Sequence, residues 1–286
     1  MKYQYSHKDG EGKFLLLKGE SDFHRRYLPE KKDTKFYTIV WNRGDKQTVV
    51  IDEVNYTFGK GCLLPIMMGQ SFRFEKPDVL IAWQFNREFY CVVDHDVEVG
   101  CVGFVFYGTS PTMFVNLNTE DVLMLERLLV VFEEEFESDD GIKGEMLRML
   151  LVRLIIKTTR LAKLQYLAVA EVDEDKFKLV RKYNLLVEQH FRKEHQVQFY
   201  AGLLHKSPKT ISNTFLLYNN KTPQQIIQDR IVSEAKRLLY YTDKPVKEIA
   251  DALGFSDSAH FSRFYKNCAG QNPSEARNAV LKRTRE

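Results

Sequence analysis

The chain has 286 residues, 44% hydrophobic and 28% charged, which is ordinary for a globular protein and long enough for two domains. It opens with no basic-then-apolar segment. Its most apolar run, 149–156, is broken by Arg153 and falls far short of the roughly 20 residues of a membrane span, so neither a secreted nor a membrane-inserted chain is expected. Cys62, Cys91, Cys101 and Cys268 lie far apart with no CxxC pair, the pattern of incidental thiols in a reducing, cytoplasmic protein. The net charge of +3 hides an asymmetry: residues 176–286 carry +10 and residues 1–175 carry −7. A basic half joined to an acidic one points to a polyanionic partner for the basic half.

In chain order, the first regular pattern is a strand at 36–41, followed by the turn Arg43-Gly44-Asp45. Further short strands are expected at 47–52, 54–58, 62–67, 71–74, 79–85 and 102–106, punctuated by Gly59-Lys60-Gly61. This spacing predicts a small barrel or sandwich. Tyr37, Ile39 and Trp41 alternate onto one face, as do Trp83 and Phe85 on another strand. Such stripes pack a core or line a ligand lumen, so Tyr37, Trp41, Trp83 and Phe85 are the effector-pocket candidates.

Two helices come next. Val122, Leu125, Leu129, Phe132 and Phe136 form one seam at steps of three and four, and Leu147, Leu151, Leu154, Thr158 and Leu161 form another. These seams can cover the barrel or pair with a second copy of the chain. The acidic run Glu133-Glu134-Glu135 with Asp139-Asp140 reads as a solvated helix end. Residues 166–176 read as an interdomain linker, and Val180, Tyr183, Val187 and Phe191 mark the first helix beyond it.

The basic half contains an internal repeat with a period of about fifty residues. One copy spans 200–215 and reaches Thr222-Pro223; the other spans 249–265 and reaches Asn272-Pro273. Ser207 matches Asp257, Ile211 matches Phe261, Phe215 matches Tyr265, and Pro223 matches Pro273. The first copy is one residue shorter in its turn. Each copy reads as helix, tight turn, helix.

In the second copy Val246, Ile249, Ala250 and Leu253 form the apolar face of a short helix, and Pro245 suits its first turn. Gly254 stands where a helix exit wants positive φ, and Asp257 where the next helix wants a cap. Phe261, Phe264 and Tyr265 then face inward, leaving Ser258, Ala259, Ser262 and Arg263 outward. In the first copy Ser207 caps and Pro208 opens the helix. Ile211 and Phe215 point inward, while Lys209, Thr210, Ser212 and Asn213 are presented outward. Small Ala201 and Ala250 let the paired helices approach closely. Between the copies runs a long helix capped by Thr222, opened by Pro223, and striped by Ile227, Ile231, Ala235 and Leu238.

A helix presented this way fits the DNA major groove. Arg263 can read guanine and Asn213 adenine through bidentate pairs. Lys209 and His260 suit phosphates, which fix register without reading sequence.

The run Gly254-Phe255-Ser256-Asp257-Ser258-Ala259-His260-Phe261-Ser262-Arg263-Phe264-Tyr265-Lys266, with Gly270-Gln271-Asn272-Pro273 and Arg277, resembles the signature of the AraC/XylS family of transcription regulators. Ala235 to Leu239 and Glu248-Ile249-Ala250 follow the same pattern, and the resemblance covers residues 176–283. It implies two helix-turn-helix units on a rigid linker helix, binding successive major grooves on one face of DNA. By implication Lys209, Ser212 and Asn213 are base-reading positions of the first unit, and Ser258, Ala259, Ser262 and Arg263 those of the second. Two departures stand out. Leu216-Leu217 replaces a basic pair that often follows the matching aromatic, and Ala276 stands where an aromatic is common.

The strand order of the acidic half resembles the cupin-like sensory domain often attached to this family. The expected fold is therefore α+β and multidomain: a cupin-like β-barrel with two following helices over 1–165, a linker at 166–176, and an all-α domain with two helix-turn-helix units over 177–286. A cupin raises the question of metal catalysis. Only His7, His24 and His95 are present in that half, with no HxH pair, and Phe72 stands where a ligand histidine would be expected. No metal, cofactor or enzymatic reaction is expected, and no Gly-rich phosphate loop or nucleophile motif is found. The expected function is a sequence-specific DNA-binding transcriptional regulator. Double-stranded DNA is its main partner; a small-molecule effector, a second copy of the chain and RNA polymerase are further candidates. The competing reading is a protein-interaction module that no longer reads DNA, for which Leu216-Leu217 is the best support.

Overall fold

Alternation of apolar and polar side chains decides which face of each strand is buried, and in this chain the strands at 13–18, 36–42, 62–66 and 80–86 bury both faces while the strands at 47–51 and 72–74 keep polar side chains outward. The computed structural model describes residues 1–7, 10–25, 36–92, 105–106, 112–166, 174–218 and 221–283. The chain divides near residue 170 into two compact units.

In the first unit the strands are β1 (Lys2–Ser6), β2 (Lys13–Lys18), β3 (His24–Arg25), β4 (Phe36–Asn42), β5 (Gln47–Ile51), β6 (Val54–Phe58), β7 (Cys62–Ile66), β8 (Phe72–Phe74), β9 (Leu80–Asn86) and β10 (Val115–Asn116). They form a six-stranded sheet of order β1-β2-β9-β4-β7-β10 and a four-stranded sheet of order β3-β8-β5-β6. The pairings given by these strands are antiparallel. The domain is thus β-rich as expected, but among the described residues its ladder does not close into one barrel. The two sheets are joined by side chains instead. Leu15, Leu17, Val40, Leu64, Ile66 and Ala82 from the larger sheet pack with Val49, Ile51, Phe58, Phe72 and Phe74 from the smaller. Buried Arg25 of β3 reinforces the seam, donating to the carbonyls of Phe36, Met67 and Gln70.

Strands β1 and β2 lie outside the expected set, although the run Phe14 to Leu17 carries the signal of a buried strand. The expected strand at 102–106 falls mostly outside the described residues; Val105 and Phe106 are helical and buried. The β5–β6 hairpin closes through Asp52 and Glu53, both at positive φ (46° and 65°), the backbone of a type I′ turn.

The opposite face of the larger sheet is covered by α1 (Thr119–Glu137), against which α2 (Lys143–Tyr166) packs. A reciprocal capping box of Asn118 and Asp121 starts α1, and Lys157 of α2 reaches Asp121 at 2.7 Å. Leu125, Leu129, Phe132 and Phe136 are buried, as are Leu147, Leu151, Leu154, Thr158 and Leu161. Phe132 meets the rings of Phe14 (5.6 Å) and Trp83 (6.0 Å). Both expected seams are therefore occupied within the chain, covering its sheet. No described helix is long and apolar enough to cross a membrane.

The second unit is helical: α3 (Glu174–His190), α4 (Val197–Leu203), α5 (Pro208–Tyr218), α6 (Pro223–Tyr241), α7 (Val246–Ala252), α8 (Ser258–Ala269) and α9 (Pro273–Arg283). One core joins them, with Val180, Tyr183, Ile211, Phe215, Ile231, Ile249, Phe261 and Tyr265 among its members.

Candidate nucleic-acid interface

The two helix-turn-helix units are α4–α5 and α7–α8, and the same backbone device turns the corner in each. In the second, the amide of Phe255 donates to the Ala250 carbonyl (3.0 Å) and that of Gly254 to Asp251 (3.1 Å). In the first, Lys206 donates to Ala201 (3.0 Å) and His205 to Gly202 (3.0 Å). This pair of bonds closes a helix end through a residue in the left-handed region. Gly254 supplies it at φ 75°, as the sequence predicts. His205 holds the matching place at φ 52°, a conformation that costs a non-glycine residue about 1 kcal/mol or more. The matched pairs of the repeat stand fifty residues apart, which alone would set Leu204 opposite Gly254; the structure places the one-residue deletion after His205 and so puts His205 at the turn.

The reading helices are capped as expected. Asp257 accepts from the His260 amide at 2.7 Å and Ser207 from the Thr210 amide at 3.0 Å. The bond from His260 N–H is the main reason the exposed Asp257 carboxyl lies below the usual carboxylate range. Ile211 and Phe215 on α5, and Phe261 and Tyr265 on α8, are buried, which turns the opposite face of each helix to solvent. The linker helix α6 begins with a capping box of Thr222 and Gln225, and Pro223 in its first turn.

The structure sorts the nine DNA-contact candidates. Lys209, Asn213, Ala259, His260 and Arg263 are exposed, while Ser212, Ser258 and Ser262 are half-buried. Thr210 is exposed, but its hydroxyl sits 2.8 Å from that of Ser207, inside the cap. The Ser262 hydroxyl donates to the Ser258 carbonyl at 2.7 Å within its own helix. Lys209, Asn213 and Arg263 are left with side chains aimed at solvent. Leu216 shares their face, one turn on from Asn213, and is 76% exposed.

Behind the reading helices lies a buried ion network that the sequence analysis missed. Arg230 of α6 donates to Glu188 of α3 through two nitrogens (2.5 and 3.0 Å) and to Glu234 (3.1 Å). Glu234, 3% exposed, also accepts from Arg192 (2.6 Å) and Arg237 (3.4 Å). Burial alone would push the Glu234 carboxyl up; the guanidiniums of Arg230, Arg237 and Arg192 bring it down to about 2. The Arg230 guanidinium also lies over the Phe191 ring at 3.9 Å. Arg277, part of the sequence signature, serves structure: it donates to the carbonyls of Leu239 (3.1 Å) and Lys244 (2.6 Å), tying α9 to the end of α6.

The chain's residues 200–279 match the family described as "Helix-turn-helix domain". Among curated proteins, it is 31% identical over 91 residues to the "HTH-type transcriptional activator RhaS" of Enterobacter sp. (strain 638), covering 32% of this chain and 33% of that one. It is 35% identical over 71 residues to the "Arabinose operon regulatory protein" of Escherichia coli (strain K12), covering 25% and 24%. Residues 200–279 of the helical unit are a helix-turn-helix domain similar to those of these regulators. The chain matches a third or less of the length of these relatives. Among solved structures, ToxT from Vibrio cholerae O395 aligns with 98% of this chain and 96% of its own, at 14% identity and a TM-score of 0.42. The DNA-binding domain of AdpA, solved "in complex with a target DNA", aligns with 36% of this chain and 94% of its own, at 22% identity and a TM-score of 0.33. Within this domain the small Ala276 of α9, the departure noted in the sequence, is buried in the core.

The effector-pocket candidates lie elsewhere than in a lumen between the sheets. Tyr37, Trp41, Trp83 and Phe85 occupy the face of the larger sheet turned away from the inter-sheet core, and all four are buried. Tyr37 stacks on Phe85 at 5.3 Å and meets Phe106 at 5.0 Å. The indole N–H groups of Trp41 and Trp83 have no acceptor among the described residues. No group of three or more described His, Cys, Asp or Glu side chains is placed to hold a metal ion.

Proposed function

We propose that this chain is a sequence-specific DNA-binding transcriptional regulator whose helices α5 and α8 read successive major grooves, with domains at 1–165 and 177–286 joined by a linker at 166–176. The observation that carries this reading is the pair of matched helix-turn-helix units within residues 176–286, which carry +10, each unit leaving polar side chains free to solvent at the start of its second helix. Asn213 and Arg263 read base edges, with Lys209 and His260 on phosphates. Ser212, Ser258 and Ala259 lie against the groove, and Thr210 and Ser262 shape the helix surface beside them. Its action is binding, not catalysis, and its setting is the cytoplasm.

One feature of the first domain supports control by a small molecule. Trp41 and Trp83 offer two buried donors without acceptors among the described residues, and the costs of such groups fall when a ligand supplies an acceptor. They are also the chain's only tryptophans, so titration of candidate metabolites against tryptophan emission reads this face directly. Leu123, Val130 and Met149 remain exposed on α1 and α2, the surface a second copy would use. RNA polymerase is the expected further partner of DNA-bound protein.

The test is selection of bound fragments from double-stranded DNA by the purified full chain. Enrichment of a motif with two blocks about one helical turn apart supports paired readout. The exposed Leu216 on the reading face favours the second reading, a protein-interaction module. That reading gains if no motif is enriched and if Asn213→Ala and Arg263→Ala leave DNA affinity unchanged.

A further inference from the structure

Spacing between two DNA blocks is fixed only if the two reading helices are held rigidly, and α6 is not the only element between them. We propose that the short segment 191–196, between α3 and α4, is a positioning clasp that sets the separation at which the two units read DNA. This inference rests on the DNA-binding reading above.

Five residues of this segment reach both helix-turn-helix units and α6. Toward the first unit, the Tyr200 hydroxyl of α4 donates to the Glu194 carbonyl at 2.7 Å. Toward the start of α6, Gln224 donates its amide to the His195 carbonyl at 3.0 Å. Toward the middle of α6, Arg192 donates to buried Glu234 at 2.6 Å, and the Phe191 ring carries the Arg230 guanidinium. Toward the second unit, the turn residue Gly254 lies flat against the Arg192 carbonyl. A Cβ at that position would stand 2.3 Å from the carbonyl oxygen and 3.2 Å from the Lys193 Cα. The His195 ring packs on Phe255 of the same turn at 4.8 Å.

The consequence is that Gly254 has two jobs. Its positive φ turns the chain, and its missing side chain seats the second unit on the clasp. The first unit has His205, which carries a side chain, at the equivalent place. Arg192 is the residue to change, because its side chain is largely exposed and Glu234 keeps Arg230 and Arg237 without it.

The test uses the full chain and two readouts, with a helix melt of each variant as a folding control. Selection from random double-stranded DNA should give wild type two blocks at one spacing. Arg192→Ala should recover both blocks but lose about tenfold in preference for that spacing over one shifted by a base pair, the size of one mismatched pair. Arg192→Lys should restore part of it. Independently of DNA, spin labels carried on non-natural amino acids at Lys209 and Arg263 should show one narrow distance in wild type and a broadened distribution in Arg192→Ala. Unchanged distances in the variant overturn the clasp, and broadened distances with unchanged spacing overturn its role in readout. If wild type selects no motif while the label distances broaden, the DNA reading fails and the clasp survives only as architecture, which also ends its proposed role.

Discussion

Glu234→Gln isolates the buried ion network from everything else in the molecule. The carboxyl is drawn from 4.5 down to about 2 against its own burial, by the guanidiniums of Arg230, Arg237 and Arg192. A carboxyl whose folded value is depressed contributes its stabilisation above the unfolded value and loses it as pH falls through the folded value. The drop corresponds to about 3 kcal/mol, present at neutral pH and lost progressively between about pH 5 and pH 2. Removing one member of a buried pair costs about the same by a separate route, because the remaining charges lose their counterion. Glu234→Gln should therefore lower the melting temperature of the helical domain by roughly 10 °C at pH 7. The gap should narrow steadily as pH falls. Asp257 and Glu275 are also depressed, but both remain in the variant, so the difference between the two curves belongs to Glu234. The assay separates the domains without cutting the chain. Trp41 and Trp83 both sit in the first unit, so tryptophan emission follows that unit alone, while far-ultraviolet circular dichroism follows α1 and α2 together with the helical unit; the part of the dichroism change that tryptophan emission does not share belongs to the helical unit. The tryptophan transition should not move. If the helix-monitored curves of wild type and variant run parallel from pH 7 to pH 3, the carboxylate is not held by these guanidiniums and the reasoning is wrong.

Three further outcomes follow from single residues. His205→Gly should stabilise the helical domain by about 1 kcal/mol, by relieving a left-handed histidine, and Glu53→Gly should do the same for the β unit; melts that fall in both would refute the strain argument. Arg263→Ala and Asn213→Ala should each cost about 1–3 kcal/mol of discrimination at one block of the selected motif, leaving the other block intact, as competition with point-mutated sites would show. Leu216→Lys should add a phosphate contact, steepening the slope of log affinity against log salt by about 0.9; an unchanged slope would mean that this end of α5 stands clear of the backbone.

The parts of this fold that were legible in the sequence are those encoded over short spans. The caps at Ser207, Asp257 and Thr222, the glycine turn at Gly254, and the inward stripe of Phe261 and Tyr265 all depend on neighbours within a turn or two, and all are in place. The repeat added a check that no single copy could supply. What escaped is long-range. Trp41 and Trp83 share a face by period-two alternation, but nothing local says whether that face meets the other sheet or a helix; α1 settles it through Phe132. Glu188, Arg192, Arg230 and Glu234 read as solvated helix charges one at a time, since only the packing of α3 on α6 brings them together.

That same network tests the charge argument from which the DNA reading began. A formal net charge says nothing about where the field is, and a domain could owe its +10 to cations buried against its own carboxylates. Here the cluster contains three guanidiniums, of which Arg192 is largely exposed, and two carboxylates, so it accounts for only one unit of the excess. The rest lies outside it, on side chains such as Lys206, Lys209, Arg263 and Lys266, which are exposed along and beside the two reading helices. The interior pairs therefore hold the helices in place, while the exposed cations beside the reading helices are left to set the salt dependence of binding. Mutations in the two groups should separate cleanly. Loss of Arg230 should lower stability and leave the salt slope of the remaining folded protein unchanged, whereas loss of Lys209 should flatten the slope by about 0.9 and leave the melt alone.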